Sequence, residues 1–169
     1  MKSGTATLLL LASIIALAQA QAKPDPWRPL EFLIGNWVGE GGGAPGQGSG
    51  EFSFSWDLQK MVLVRHNFAE YPATKDKPAY RHGDLMVIYK DDSGKLRADY
   101  WDNEGHVIHY AVEQPGPDAV RLVSNEKEGP NYRLTYAKIA GNAVKITFEI
   151  APPGKPFAAY IEARAKKRD

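Results

Sequence analysis

The sequence predicts an all-β fold, an antiparallel up-and-down β-barrel of about ten strands with one short N-terminal helical turn. Apolar and polar residues alternate with the two-residue period of a half-buried strand, as in Phe52, Phe54 and Trp56 with polar residues between them. Turn-forming sequences such as 91–94 and 140–142 separate these segments. Helix-length crossovers are missing between them, which favours sequential hairpins closed into a barrel over a Greek-key sandwich.

The strands are expected in segments that share this alternation and are bounded by turn residues. In chain order they are 50–58, 61–69, 84–90, 96–102, 107–113, 119–125, 132–139, 143–151 and 157–166. A first strand at Trp37, preceded by a helical turn within 29–34, completes the set. An eight-stranded barrel can already hold one small ligand, so a larger barrel predicts an internal cavity.

The first twenty residues are predicted to be a signal peptide. Lys2 precedes an apolar run at 8–17, and small residues end the segment at Ala20, the favoured cleavage position, with Ala22 as the second choice. A membrane anchor is the less favoured alternative because the apolar run is short for a bilayer. We therefore expect a secreted or periplasmic, soluble protein with residues 1–20 as signal peptide, 21–29 as an extended leader and 30–169 as a single barrel domain.

The cysteine content and net charge of the chain limit the classes of partner that it is expected to bind. The chain has no cysteine, which excludes disulfides and a lipid-carrying cysteine after the signal. Loss of Lys2 with the signal would lower the formal charge from +1 to zero, and the remaining charges are mixed along the chain. This pattern lacks the basic patch of a nucleic-acid-binding protein. The expected partner is a small apolar molecule, without nucleic acid or stable membrane insertion, and the oligomeric state is open.

The segment from Leu30 to Gly41 carries the clearest family resemblance. Its pattern, L-x-F-L-x-G-x-W-x-G-x-G, resembles the opening of calycin-type barrels, and Gly35-x-Trp37 is similar to the first lipocalin motif. The longer pattern resembles nitrobindin-type haem-binding barrels and a family of secreted bacterial lipocalin-like domains of unknown function. The resemblance implies that Trp37 closes one barrel end above a turn at Gly35, with a late arginine such as Arg164 stacked on it.

The same resemblance bears on cofactors. Nitrobindin-like proteins imply b-type haem held by a histidine near the C-terminal end. The last predicted strand, 157–166, contains no histidine, and the last histidine of the chain is His109. We therefore expect no cofactor, and we expect no metal site.

The lumen is predicted from the strand alternation. In 62–68 either face brings a polar group inward, so we expect a convergent polar set of Arg65, His66, Asn67, Tyr100 and His109. Aromatic residues on inward faces complete the ligand-binding prediction. The full set is Phe52, Phe54, Trp56, Arg65, His66, Asn67, Tyr100, Tyr132, Tyr136 and Phe148. The alternative is that these side chains fill the barrel.

Three functions follow, in order of preference. The first is a binding protein for a small hydrophobic or amphipathic ligand, with the long connection 70–83 over the barrel mouth or, equally, as a solvated loop. The second is a small barrel enzyme that acts on a lipid-like or polyketide-like substrate by acid/base chemistry through His66, Tyr100 or His109. No known catalytic signature matches, which disfavours it. A haem or nitric-oxide role is third.

Overall fold

A computed structural model describes residues 25–41 and 49–168. The predicted signal peptide, the first part of the leader and the glycine-rich segment 42–48 lie outside the described residues. The described chain is all-β, with short 3-10 turns at Arg28–Leu33 and Leu58–Lys60. The strands are β1 (Gly35–Gly39), β2 (Ser49–Asp57), β3 (Val62–Tyr71), β4 (Tyr80–Lys90), β5 (Leu96–Asp102), β6 (Val107–Gly116), β7 (Ala119–Val123), β8 (Asn131–Ile139), β9 (Ala143–Ala151) and β10 (Ala158–Lys167).

The ten strands form one closed antiparallel barrel, which confirms the predicted fold class. Each strand pairs with its neighbours in sequence, and β1 completes the circle because it pairs with both β2 and β10. Trp37 lies opposite Phe52 on one side and Lys167 on the other. Closure pairs the outer backbone groups that an open sheet would leave exposed.

One end of the barrel is closed by the N-terminal 3-10 turn. Leu30, Leu33 and Trp37 are buried there, and the Trp37 Nε1–H donates a hydrogen bond of 2.7 Å to the Leu33 carbonyl oxygen. Trp27 packs edge-on against Trp56, with ring centroids 5.0 Å apart. This apolar cap seals the lumen below β1.

The predicted stacking of Arg164 on Trp37 is wrong. The cation over the Trp37 ring is Lys167, whose Nζ lies 5.4 Å from the ring centroid. Register explains the difference, because Lys167 lies directly opposite Trp37 in β10. Arg164 instead faces Glu40, with 3.7 Å between the guanidinium Nε and the carboxylate.

The long connection expected at 70–83 is shorter in the structure. β3 continues to Tyr71 and β4 begins at Tyr80, so the connection is residues 72–79, all of them exposed. The Tyr71 and Tyr80 rings stack at 6.3 Å, and Arg81 pairs with Glu70 at 3.7 Å. These cross-strand contacts extend the hairpin, and the connection lies at the end of the barrel opposite the Trp37 cap.

Candidate ligand-binding site

The half of the barrel away from the Trp37 cap contains a cavity of about 550 Å³. The half nearer the cap is filled by buried side chains, which are Leu63, Ile88, Ala98, Val120 and Tyr136. The lumen is thus part filled and part open. Residues 72–79 are not among the residues that line this cavity.

One wall of the cavity is apolar and comes from β8, β9 and β10. It consists of Tyr132, Leu134, Ile146, Phe148, Ile150 and Ile161. The Tyr132 and Phe148 rings stack with centroids 5.9 Å apart, and Tyr160 meets Phe148 edge-on at 6.3 Å. Tyr160 is 68% exposed and lies at a register shift in β10, so it stands at the rim of the cavity.

The opposite wall is polar and comes from β3, β4 and β5. Asn67 pairs opposite Asp84, and Asp84 pairs opposite Asp102, so the three side chains form a row across the inner face. Arg65 and Tyr100 flank Met86 in the next inward row. The wall therefore follows directly from strand register.

A buried ion pair anchors this wall. The guanidinium of Arg65 donates to a carboxylate oxygen of Asp84, and Asn67 Nδ2 donates to the other oxygen at 2.7 Å. Burial, the largest effect, lowers the pKa of Arg65, but the charge of Asp84 together with the nearby Tyr136, Tyr100 and Tyr110 hydroxyls outweighs it, and the pKa is raised overall. Arg65 therefore stays cationic, with its Cζ 5.7 Å from the centroid of Phe52.

His82 connects this pair to the rim. Its Nε2 lies 3.2 Å from the Tyr100 hydroxyl and 3.4 Å from Asp84, and its Nδ1 lies 3.0 Å from Glu104. The hydrogen bond to Asp84 raises the pKa of His82 to about 9, against the opposing effect of burial and with help from Glu104. The imidazole is therefore protonated at neutral pH.

Tyr100 and Asp102 complete the polar wall. The Tyr100 hydroxyl donates to Asp102 at 3.2 Å, and Asp102 also accepts from the backbone N–H groups of Glu104 and His106. Burial raises the pKa of Asp102. The hydrogen bonds from His106 and Glu104 together lower it by more, so the pKa of Asp102 is lowered overall. Burial, with the charges of Asp84 and Asp102, raises the pKa of Tyr100 strongly. Asp102 is thus an acceptor and Tyr100 a protonated donor.

The structure brings together part of the predicted ligand-binding set. Cavity-lining members are Phe52, Arg65, Asn67, Tyr100, Tyr132 and Phe148. Phe54 and Tyr136 are buried in the filled half, where their rings meet edge-on at 5.6 Å, and Trp56 packs against Trp27 at the cap.

The expectation that His66 and His109 converge with the other polar residues is wrong. His66 is exposed and lies in an outer row between Ser53 and Leu85. His109 is 68% exposed outside the barrel, with its Nδ1 2.7 Å from Asp99. Both point outward because the alternate residues of their strands, such as Arg65 in β3, occupy the lumen. Neither histidine can reach a ligand inside the barrel.

Four polar residues of the wall are missing from the sequence prediction: His82, Asp84, Asp102 and Glu104. Asp102 alternates in phase with Leu96, Ala98 and Tyr100, so the two-residue period places it on the same face as Tyr100 and could have identified it. After Asp84 the residues of β4 are apolar on both faces, so the sequence does not indicate which face of this strand points into the barrel. His82 falls in a segment interpreted as a connection.

Within residues 25–41 and 49–168, no group of three His, Cys, Asp or Glu side chains is placed to hold a metal ion. In the same part of the chain no helix has the length and apolar character to cross a membrane. Comparison with known proteins gives no matching family model and no match among curated proteins. What holds of the calycin resemblance is the fold: the chain forms a closed, ten-stranded antiparallel β-barrel.

Proposed function

We propose that this barrel is a secreted or periplasmic protein that binds one small amphipathic molecule in its open half. The observation that carries the proposal is a cavity of about 550 Å³ with an apolar wall facing a polar one. Small-molecule sites typically measure about 300–1,000 Å³ and combine apolar surface with a few placed polar groups.

The two walls define how the ligand lies. Its apolar part packs on the stacked rings of Tyr132 and Phe148, and its polar part faces Tyr100 and His82. The Arg65–Asp84 pair fixes the polar wall, since the two residues are bonded to each other and Asp84 also accepts a hydrogen bond from Asn67. A ligand in this orientation satisfies both surfaces at once.

Native mass spectrometry of the protein from its own host, before and after organic extraction, tests this proposal. A carrier would show one extractable small molecule per chain. If the untreated protein has its bare mass and binds no added amphipath, the binding function is wrong.

A pair of substitutions in β10 tests whether the ligand binds in the cavity. Ala163 lines the cavity and Ala159 is exposed on the outer face. Ala163→Trp should fill part of the cavity and weaken ligand binding about tenfold or more, whereas Ala159→Trp should leave it unchanged. Equal effects of the two changes would show that the ligand binds elsewhere.

Acid/base catalysis on a lipid-like or polyketide-like substrate is the second candidate. The contacts from Glu104 through His82 to Tyr100 orient an imidazole toward a hydroxyl on the cavity wall. With its pKa raised to about 9, His82 is suited to donate a proton and poorly suited to accept one at neutral pH. Turnover of a bound ligand that is lost in His82→Gln, with binding retained, would favour this candidate.

Haem is a poorer fit to these residues. Both ring nitrogens of His82 already face carboxylate or hydroxyl oxygens, so this imidazole is not available as an axial ligand. His106 is bonded to Asp102 through its Nδ1 and keeps its Nε2 without a hydrogen bond among the described residues, but its side chain is 55% exposed at the rim. A Soret band in the purified protein, or after addition of haemin, would contradict this view.

A further inference from the structure

We propose that the cavity selects an amphipathic cation, a molecule with an apolar body and an ammonium group seated against the polar wall. This inference rests on the proposed function, because it names the class of ligand that the same cavity takes. It is carried by the charge balance of the lining and by the direction of its hydrogen bonds.

The charged groups that line the cavity are unevenly matched. The described lining residues comprise four carboxylates, two guanidinium groups and two imidazoles, which are Glu40, Asp84, Asp102 and Glu104, Arg65 and Arg164, and His82 and His106. Negative charge is in excess even when His82 is protonated. With both histidines counted as neutral, the four carboxylates outnumber the two guanidinium groups by two. The segment 42–48 has no ionisable side chain in its sequence.

The excess lies at the polar wall. Arg164 and Glu40 compensate each other at the rim, 3.7 Å apart, and Arg65 is held by Asp84. His82 then lies between two carboxylates, 3.0 Å from Glu104 and 3.4 Å from Asp84, and Asp102 faces His106 at 2.8 Å. A positive group that enters the cavity is therefore attracted to this wall, and a carboxylate is repelled by it.

Hydrogen bonding points the same way. The Arg65 Nη1 and the Asn67 Nδ2 donate to Asp84, and the Tyr100 hydroxyl donates to Asp102, while the Arg65 Nε is buried without a hydrogen-bond partner. His82 and Tyr80 are likewise bonded to Glu104.

Two acceptors of the wall are open to a ligand. The Asn67 Oδ1 and the Glu104 Oε2 have no hydrogen-bond donor among the described residues. A ligand head group that donates can bond to both acceptors. An ammonium group offers donors together with positive charge, whereas a carboxylate offers acceptors alone.

A series of amphipaths with one chain length and three head groups tests the inference. Decylamine, decanol and decanoate are titrated into the full protein at neutral pH below their aggregation concentrations, with affinity read by displacement of a fluorescent apolar probe. Decylamine should bind about tenfold or more tightly than decanoate, with decanol between them. Decanoate binding as tightly as decylamine would overturn the inference.

Two charge-neutralising variants locate the selectivity. Glu104→Gln removes a carboxylate from the polar wall, and Glu162→Gln removes one that pairs with Lys145 outside the barrel. Glu104→Gln should reduce the preference for decylamine over decanol about fivefold, and Glu162→Gln should not change it. Decanol affinity reports whether each variant keeps the cavity. An equal effect of both variants would mean that general surface charge, and not the wall, sets the preference.

The outcomes separate this inference from the proposed function. If decanol binds and the cation is not preferred, the cavity binds amphipaths and only the ligand class is wrong. If none of the three probes binds, the binding function itself fails.

Discussion

Arg65 and Asp84 form an ion pair inside the barrel, where their side chains are only 8% and 4% exposed. Removing one partner of a buried pair leaves the other charge without compensation. We expect Asp84→Ala to lower the free energy of unfolding by about 3–5 kcal/mol, measured by urea denaturation. Replacing both residues, as Arg65→Met with Asp84→Leu, should cost less than Asp84→Ala alone.

The exposed pair of Lys145 and Glu162, at 2.6 Å, supplies the control for this prediction. Glu162→Ala should cost less than about 1 kcal/mol because solvent screens the pair. If Asp84→Ala is as mild as Glu162→Ala, the buried pair does not anchor the wall.

Gly35 should tolerate no side chain. Its φ of +120° lies in a region that residues with a Cβ rarely adopt, and a Cβ there would lie 2.8 Å from Lys167 Cε. The lysine can move, so the backbone conformation is the main cost, about 1–3 kcal/mol for Gly35→Ala in thermal or urea unfolding. Gly116→Ala is the matched control, because its φ is not positive and its Cβ would meet nothing within 4 Å. Similar losses in the two variants would contradict the prediction.

Stability should fall as the pH rises through the alkaline range. The native pKa of His82 is raised to about 9 from 6.5, so the folded state binds the proton more tightly than the unfolded state. The resulting stability is complete below about pH 6.5 and is lost as the pH approaches 9. The side chain is 23% exposed, and solvent screening reduces the expected loss to about 1–2 kcal/mol.

Urea denaturation at several pH values, compared with His82→Gln, measures this effect. The difference in unfolding free energy between the two proteins should shrink from pH 6.5 to pH 9. A difference that stays constant across this window would show that His82 is not held by Asp84 and Glu104 as described.

Histidines outside the barrel should be irrelevant to the ligand. His66→Ala and His109→Ala should leave the affinity for an amphipathic probe unchanged, since both side chains lie on the outer face. Tyr100→Phe removes a hydroxyl from the cavity wall and should weaken a ligand with a polar head about fivefold. Probe displacement measures all three, and weakening by either histidine substitution would place the ligand outside the lumen.

The sequence predicts the barrel well because its strands carry a clear two-residue period. The bounds of β5 and β9 agree with the predicted segments, whereas β4 begins four residues earlier than its alternation suggests. That extension depends on cross-strand pairs such as Tyr71 with Tyr80. The residue pattern within one strand does not show which residues of the next strand it pairs with.

The polar wall is harder to predict than the apolar one. In β3 both faces contain polar residues, and Arg65 turns inward because Asp84, nineteen positions away, is there to receive it. His82 acquires its place only when Glu104 and Tyr100 are brought beside it by two paired strands and the turn that follows them. Such contacts are set by register between strands, which local patterns do not specify.

The pairing of β1 with β10 joins the two ends of the described barrel, with Trp37 opposite Lys167. No nascent fragment without β10 can close, so each would carry open edges on β1 and on its last strand. Contacts between residues so distant in sequence form slowly, and unpaired edges favour association with other chains during that delay. Completion of the circle is therefore expected to be the late step of folding, and protection of those edges until then governs the yield of native protein.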